Sequence, residues 1–194
     1  SGYPELQVDI YSIEICNVSH TGTCTINAST SPATVSWGNW DTNNQSYTVA
    51  TPSGSQEYTR LYTADGTTGN VVTPADFSTN NLLVIPQPIT AWNTDDSISN
   101  TTGSYLKIRC NITQYGYSLL TEDYVYVPFA GTDITTPENP TAWTTGWKSG
   151  KKYTFHLEFG LGRNSSGKLN GTDITFTVSV GNGWTTGTVT DPEL

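Results

Sequence analysis

The sequence predicts an all-β protein folded as an antiparallel β-sandwich. Its 194 residues are rich in Thr, Ser, Asn and Gly and include only eight Lys and Arg residues. Few segments combine the Ala, Leu, Glu and Lys residues that favour helices, whereas β-branched and aromatic residues, which fit pleated sheets, recur throughout. Apolar and polar residues alternate along several segments, and turn-rich loops separate them. The whole chain, residues 1–194, is predicted to form a single sandwich domain.

The first predicted strand covers Leu6–Val18. Its apolar residues change parity, since Val8 and Ile10 share one phase and Ile13 and Ile15 share the other. An inserted residue restores the apolar side chains to one face, so the pattern predicts a β-bulge near Ser12.

Residues 20–22 are predicted to form a turn, and residues 23–26 the partner strand of a hairpin. Shorter β-like segments surround residues 34–37 and 47–50, within loops of Asn, Ser, Thr and Pro. The run at residues 82–85 is continuously apolar and ends at Pro86, which predicts a strand that stops there or lies at a sheet edge.

The clearest alternation lies in the second half of the chain. Residues 105–113, 153–159 and 173–180 each place apolar side chains at every second position, and residues 124–129 form a further strand. Residues 132–145 and 163–171 are predicted loops, and Gly150 permits the turn before residue 153. The predicted core contains Leu106, Ile108, Cys110, Ile112, Phe155, Leu157, Phe159, Phe176, Val178 and Val180.

Charge and hydropathy exclude several partners. The net charge of −9 argues against nucleic-acid binding and against docking on an anionic membrane. No run of 18 apolar residues could span a bilayer, so no transmembrane segment is predicted. No signal segment opens the chain, so the sequence is expected to be a mature product or an excised fragment.

Three cysteines do not form a disulfide framework. Cys16 and Cys24 flank the predicted hairpin and could pair across it, but three reduced core thiols are the favoured alternative. Cys110 shares a face with apolar residues and is predicted to be buried and unpaired. No Cys-x-x-Cys pair accompanies the two histidines, so no metal and no cofactor is predicted.

No constellation of residues indicates catalysis, and the chain is predicted not to be an enzyme. The carboxylates of Asp95–Asp96 and Glu122–Asp123 are adjacent in sequence, whereas a glycosidase holds two carboxylates across a cleft. A Gly-x-Ser-x-Gly nucleophile motif is absent from the sequence.

Six tryptophans lie in loops or at strand ends. Trp147 and Trp184 adjoin core strands and are predicted to cap the sandwich. The alternative is that exposed tryptophan rings stack on sugars. It applies equally to Trp37, Trp40 and Trp92, which are the candidate ligand-contacting residues.

The order of these motifs resembles the fimbrillin-like family, the type V pilus subunits of Gram-negative anaerobes. The resemblance rests on six segments: LQVDIYSIEICNV from residue 6, LLVIPQPIT from 82, YLKIRCNI from 105, YVYVPF from 124, WKSGKKYTFHLEFG from 147, and residues 174–180 with Trp184. Each is weak alone, and their order from residue 6 to 184 makes the resemblance more specific.

The resemblance implies a transthyretin-like, Greek-key sandwich that is the second domain of a longer lipoprotein precursor. It also implies a structural or adhesive subunit of a fimbria on the outer membrane surface, joined to other subunits by a donated β-strand. Host or bacterial surface glycans or proteins are further expected partners. The alternative is a carbohydrate-binding surface lipoprotein domain, which the three candidate tryptophans favour.

Overall fold

The computed structural model describes residues 6–42, 45–62, 82–93, 95–114, 116–133, 141–143, 146–159 and 174–182. All regular structure in these ranges is β. They contain no helix long and apolar enough to cross a membrane. The strands are, in chain order, β1 Leu6–Val18, β2 Thr23–Asn27, β3 Thr34–Gly38, β4 Gln45–Ala50, β5 Thr59–Tyr62, β6 Tyr105–Gln114, β7 Tyr117–Pro128, β8 Gly131–Asp133, β9 Thr141–Trp143, β10 Lys151–Phe159 and β11 Ile174–Asn182.

The larger sheet is antiparallel, with the order β4-β1-β6-β7. On one side β1 pairs with β6, and on the other it pairs end to end with β4 and β5. The register between β1 and β6 shifts between Ile10 and Ser12, which confirms the predicted bulge. Because of this shift, Ile10 lies opposite Cys110 and Ile15 lies opposite Leu106, so both phases of the apolar pattern face the core.

The second sheet has the order β10-β11-β8-β9. β10 and β11 pair in antiparallel register without a shift, from Lys151 opposite Asn182 to Phe159 opposite Ile174. β8 is parallel to β11. Gly150 has a φ of 69° in the turn before β10, as its predicted role requires. A separate two-stranded sheet consists of β2 and β3.

Both larger sheets contribute to one hydrophobic core, which is consistent with a β-sandwich. Phe129 is 1% exposed, and its ring contacts Trp143 and Phe155 at 5.2 Å and Trp147 at 5.8 Å between centroids. The predicted core is confirmed where its side chains are described. Leu106, Ile108, Cys110, Ile112 and Val178 are buried, and Phe155, Leu157, Phe159 and Val180 pack against them.

Three predictions about strands are wrong. Residues 82–85 form no strand. Among the described residues, the nearest pairing is the isolated bridge between Gln87 and Trp147, and the prolines on both sides of Gln87 have no N–H with which to extend it. The predicted loop at residues 132–145 contains the three-residue strand β9 and most of β8. β7 begins at Tyr117 rather than at residue 124. Its first half was missed because it has no apolar alternation: Leu119 and Leu120 are adjacent, and both are half-buried.

The predicted hairpin between β1 and β2 is also wrong, because β2 pairs with β3. Cys16, Cys24 and Cys110 are all free thiols, so the alternative of a Cys16–Cys24 disulfide is not realised. Cys110 is fully buried, as predicted, and burial raises the pKa of its thiol to about 12. Cys24 is exposed, so the prediction of three core thiols fails at this residue. The predicted loop at residues 163–171, Trp184 and the side chain of Phe176 lie outside the described part.

Candidate functional site

A buried glutamine fixes the loop that follows β1. Gln87 and Ser19 are 3% and 0% exposed. The Gln87 Oε1 accepts a hydrogen bond from the Ser19 N–H at 2.7 Å, and its Nε2 donates to the Ser19 carbonyl at 2.8 Å. The main chain of Gln87 exchanges two further bonds with Trp147, at 3.0 and 2.9 Å. One residue therefore joins the end of β1, the proline-rich segment and the segment before β10.

The segment after β3 is bound to the same loop through Asp41. The Ser19 hydroxyl donates to the Asp41 carbonyl at 2.9 Å, and the Asp41 N–H donates to the Thr21 carbonyl at 3.2 Å. The Asp41 carboxylate accepts from the main-chain N–H of His20 at 3.1 Å. These bonds hold together the two chain segments that lead into and out of the β2–β3 hairpin.

Trp40 closes the base of that hairpin. Its indole N–H donates to the Pro86 carbonyl at 2.8 Å, and its ring is half-buried. A Cβ atom at Gly22 would lie 2.9 Å from the Trp40 ring, so a residue without a side chain is needed for the ring to pack there.

These residues surround an open cleft of about 350 Å³, lined by Trp40, Asp41, Thr42, Gln87 and Pro88. Tyr47 lies nearby, and burial, followed by the negative charge of Asp41, raises the pKa of its phenol. The His20 ring contacts the Tyr47 ring in a tilted arrangement, with 4.1 Å between centroids. An aromatic ring beside a carboxylate and a hydroxyl suits a small ligand with an apolar face and several hydroxyl groups.

The structure places the three candidate tryptophans in three separate surroundings. Trp40 lines the cleft, whereas Trp37 lies on β3, and its indole nitrogen is buried with no partner among the described residues. The Trp92 indole donates to the Asp96 carbonyl at 3.1 Å, and its ring packs against Tyr105 at 6.0 Å. In the described part, no ring contact joins the three. Trp147 is 4% exposed, which confirms its predicted place in the sandwich.

Sequence reasoning missed the roles of Gln87 and Asp41. Gln87 stands between two prolines, and this flanking is the only local signal that its side chain has a special position. Its partners are distant in sequence, so no periodic pattern could identify them.

The adjacent carboxylates of Glu122 and Asp123 both accept hydrogen bonds within the fold. Glu122, at a φ of 43°, accepts a hydrogen bond from Arg109 at 2.6 Å, and the carboxylate of Asp123 accepts from the Tyr124 N–H at 2.8 Å. The Ser19 hydroxyl is engaged with the Asp41 carbonyl, as described above. Across the described ranges, no three His, Cys, Asp or Glu side chains lie close enough to hold a metal ion.

Comparison with known proteins found no matching family model, no matching curated sequence and no matching solved structure. The fimbrillin resemblance therefore stays a prediction that rests on the six sequence segments.

Proposed function

We propose that this chain is a structural or adhesive, non-enzymatic subunit of a bacterial surface fimbria, joined to its neighbours by β-strand addition. In this proposal it is the second domain of a longer precursor and is displayed at the outer membrane surface. The supporting observation is the sheet edge formed by β10, because an added strand needs a long, regular edge with apolar positions to fill.

Four edges end the two larger sheets within the described ranges, and three of them are poorly suited to receive a strand. One is divided between the short strands β4 and β5, and β9 has three residues. β7 is long, but its pairing with β6 has two register shifts and it contains the positive φ of Glu122. Irregularities of this kind protect an edge from unwanted pairing. β10 extends over nine residues with a continuous register.

The side chains of β10 also favour strand addition. Tyr153, Phe155, Leu157 and Phe159 face the core but stay half-buried, whereas Val178 on the neighbouring strand, opposite Phe155, is fully buried. The core-facing row of β10 therefore keeps part of its apolar surface exposed. Alternate apolar residues of an incoming strand would cover this row while its main chain bonded along the edge of β10.

Hydrogen exchange of monomeric and assembled protein tests this proposal. About half of the β10 amides point away from β11, because amides in antiparallel strands alternate in direction. These amides should exchange more slowly in the assembled protein than in the monomer. The matched control is β7, whose exchange should change little. Assembled protein with unprotected β10 amides, or with protection at β7 instead, would contradict strand addition at β10.

The second candidate function is carbohydrate binding, which the Trp40 cleft favours. The test is a glycan array with the native protein, Trp40→Ala and the control Trp92→Ala, since Trp92 lies outside the cleft. A glycan bound by native protein and by the control, but not by Trp40→Ala, would support this function. Absence of binding by the native protein across the array would argue against it.

A further inference from the structure

The β2–β3 hairpin has one apolar face and one polar face. In its register Cys24 lies opposite Trp37 and Ile26 lies opposite Val35. Directly opposed residues share a face, and so do residues two apart along a strand. The apolar face therefore consists of Cys24, Ile26, Val35 and Trp37, and the other face consists of Thr23, Thr25, Asn27, Thr34, Ser36 and Gly38.

Much of this apolar face is exposed. Ile26 is 67% exposed and Val35 is 52% exposed, and the thiol-bearing Cys24 is exposed as well. In the described part of the chain, β2 and β3 pair only with each other. An isolated two-stranded hairpin is only marginally stable in water, so a surface that covered the apolar face would stabilise it.

The base of the hairpin is firmly held. Asp41, which follows β3, makes hydrogen bonds with Ser19 and Thr21, which precede β2. Trp40 donates a further hydrogen bond to the Pro86 carbonyl. The hairpin is thus presented in a defined direction from the domain. A rigidly presented face loses less conformational entropy when it is covered than a free loop would lose.

Charge indicates what can approach this face. Residues 15–40 contain no Asp, Glu, Lys or Arg, although the protein carries a net charge of −9. Two copies of an acidic protein repel each other, and the repulsion is weakest where the contacting surfaces carry no charge. Burying the hairpin also desolvates no charged side chain, which would otherwise oppose association.

We propose that the apolar face of the β2–β3 hairpin packs against the same face of a second copy of this chain. The contact is two-fold symmetric, so each copy offers the same four residues to the other. The two hairpins then form a small two-layer β-sandwich between the domains.

The size of the face determines the strength of this contact. Five residues of strand extend about 17 Å, and two strands with their side chains are roughly 10 Å wide, so the face measures roughly 170 Å². A stable interface buries about 800 Å² on each partner. The free protein should therefore pair weakly, at millimolar concentration. Copies held side by side on a surface or along a polymer reach such effective concentrations, and there the contact should be populated.

Cys24 provides a native probe for the test. Packed sheets lie about 10 Å apart, beyond the roughly 7 Å that a disulfide bridges, so a short bismaleimide linker is used instead. Cys16 and Cys110 are buried and serve as internal references. The native protein at millimolar concentration should give a dimer linked through Cys24 of both copies. Sedimentation should show a concentration-dependent dimer.

Two variants with the same change of charge separate the faces of the hairpin. Val35→Asp places a carboxylate on the apolar face and should lower the association constant for dimerisation at least tenfold. Ser36→Asp places it on the polar face and should lower the constant by less than threefold. Both positions are exposed, so both variants should keep the circular dichroism spectrum of the native protein.

Three results would overturn the pairing: a native protein that stays monomeric at millimolar concentration, a linkage through another cysteine, or equal dimerisation of the two variants. The first would leave the face for a different protein. Strand addition gives open polymers, whereas this contact stops at two copies, so the two proposals fail independently.

Discussion

Replacement of Gln87 by leucine tests how the cleft and the hairpin base are held. Leucine has a similar size, but it can neither donate nor accept a hydrogen bond. The buried main-chain groups of Ser19 would lose the bonds of 2.7 and 2.8 Å that they make with the amide. The variant therefore removes polar contacts while keeping most of the side-chain volume.

The magnitude follows from burial. The loss of a hydrogen bond by a buried main-chain group costs about 1–3 kcal/mol, so two such losses cost about 2–6 kcal/mol. Burying the additional apolar surface of leucine offsets roughly 1–2 kcal/mol of this. The mid-values of these two ranges predict that the free energy of unfolding falls by about 2.5 kcal/mol in total. Gln56 is exposed, and the control Gln56→Leu should change it by less than about 0.5 kcal/mol.

Urea unfolding followed by tryptophan fluorescence measures both variants. A Gln87→Leu protein whose free energy of unfolding lies within about 1 kcal/mol of the native value would contradict the stabilising role of these two hydrogen bonds. It would mean that water or a shifted main chain satisfies Ser19 equally well. A drop of similar size in both variants would point to a general intolerance of leucine rather than to the two hydrogen bonds.

Three other predictions concern the aromatic core, two ion pairs and the dependence of stability on pH. Phe129→Ala should lower the free energy of unfolding by about 3–5 kcal/mol in urea unfolding, because it opens a cavity among buried aromatic rings. Asp9→Asn should cost about 1–3 kcal/mol, because Asp9 is 5% exposed and accepts two bonds from an arginine, whereas Glu122→Gln, in an exposed ion pair, should cost under about 1 kcal/mol. Burial raises the pKa of Cys110 from 9.0 and that of Tyr105 from 10.0 to about 12, which favours the neutral forms in the folded protein. The contribution of these two groups to stability is therefore fully present below about pH 9 and is lost as the pH rises toward 12, so thermal unfolding should show a stability that falls between pH 9 and 12.

A different result would contradict each of these predictions. A Phe129→Ala protein as stable as the native one would mean that the core is not closely packed at this ring. Equal effects of the two carboxylate substitutions would mean that burial does not distinguish the two ion pairs. A stability that does not change between pH 9 and pH 12 would show that these two groups titrate alike in the folded and unfolded chain.

Much of the larger sheet could be predicted from the sequence, because its strands alternate between a buried and an exposed face. The parity change between Ile10 and Ile13 placed the bulge, since a side-chain period of two leaves few other ways to bury both. The alternation at residues 105–113 likewise identified the fully buried Ile108 and Cys110.

The remaining features depend on contacts between distant residues. The apolar run at residues 82–85 has the composition of a strand, but its Leu83 is 82% exposed, and the segment is held through Gln87 instead. β9 has three residues, too few for a period to appear. The predicted pairing of β2 with β1 was wrong because a turn at residues 20–22 is compatible with pairing to β1 or to β3. The hydrogen bond between Asp41 and Thr21 joins distant residues and cannot be predicted from local sequence.

The candidate site, too, could be predicted only in part from the sequence. The sequence identified Trp40 as an aromatic residue in a loop, but nothing local distinguished it from Trp37 or Trp92. The distinction comes from the fold, which places Asp41, Thr42 and Gln87 around Trp40 alone.

Electron microscopy of the mature protein, purified from the surface of the cells that produce it, tests the proposal that it is a fimbrial subunit. We expect linear polymers that antibodies against this chain label along their length or at an end. A preparation that contains only monomers or closed dimers, with no labelled filament on the cells, would contradict it.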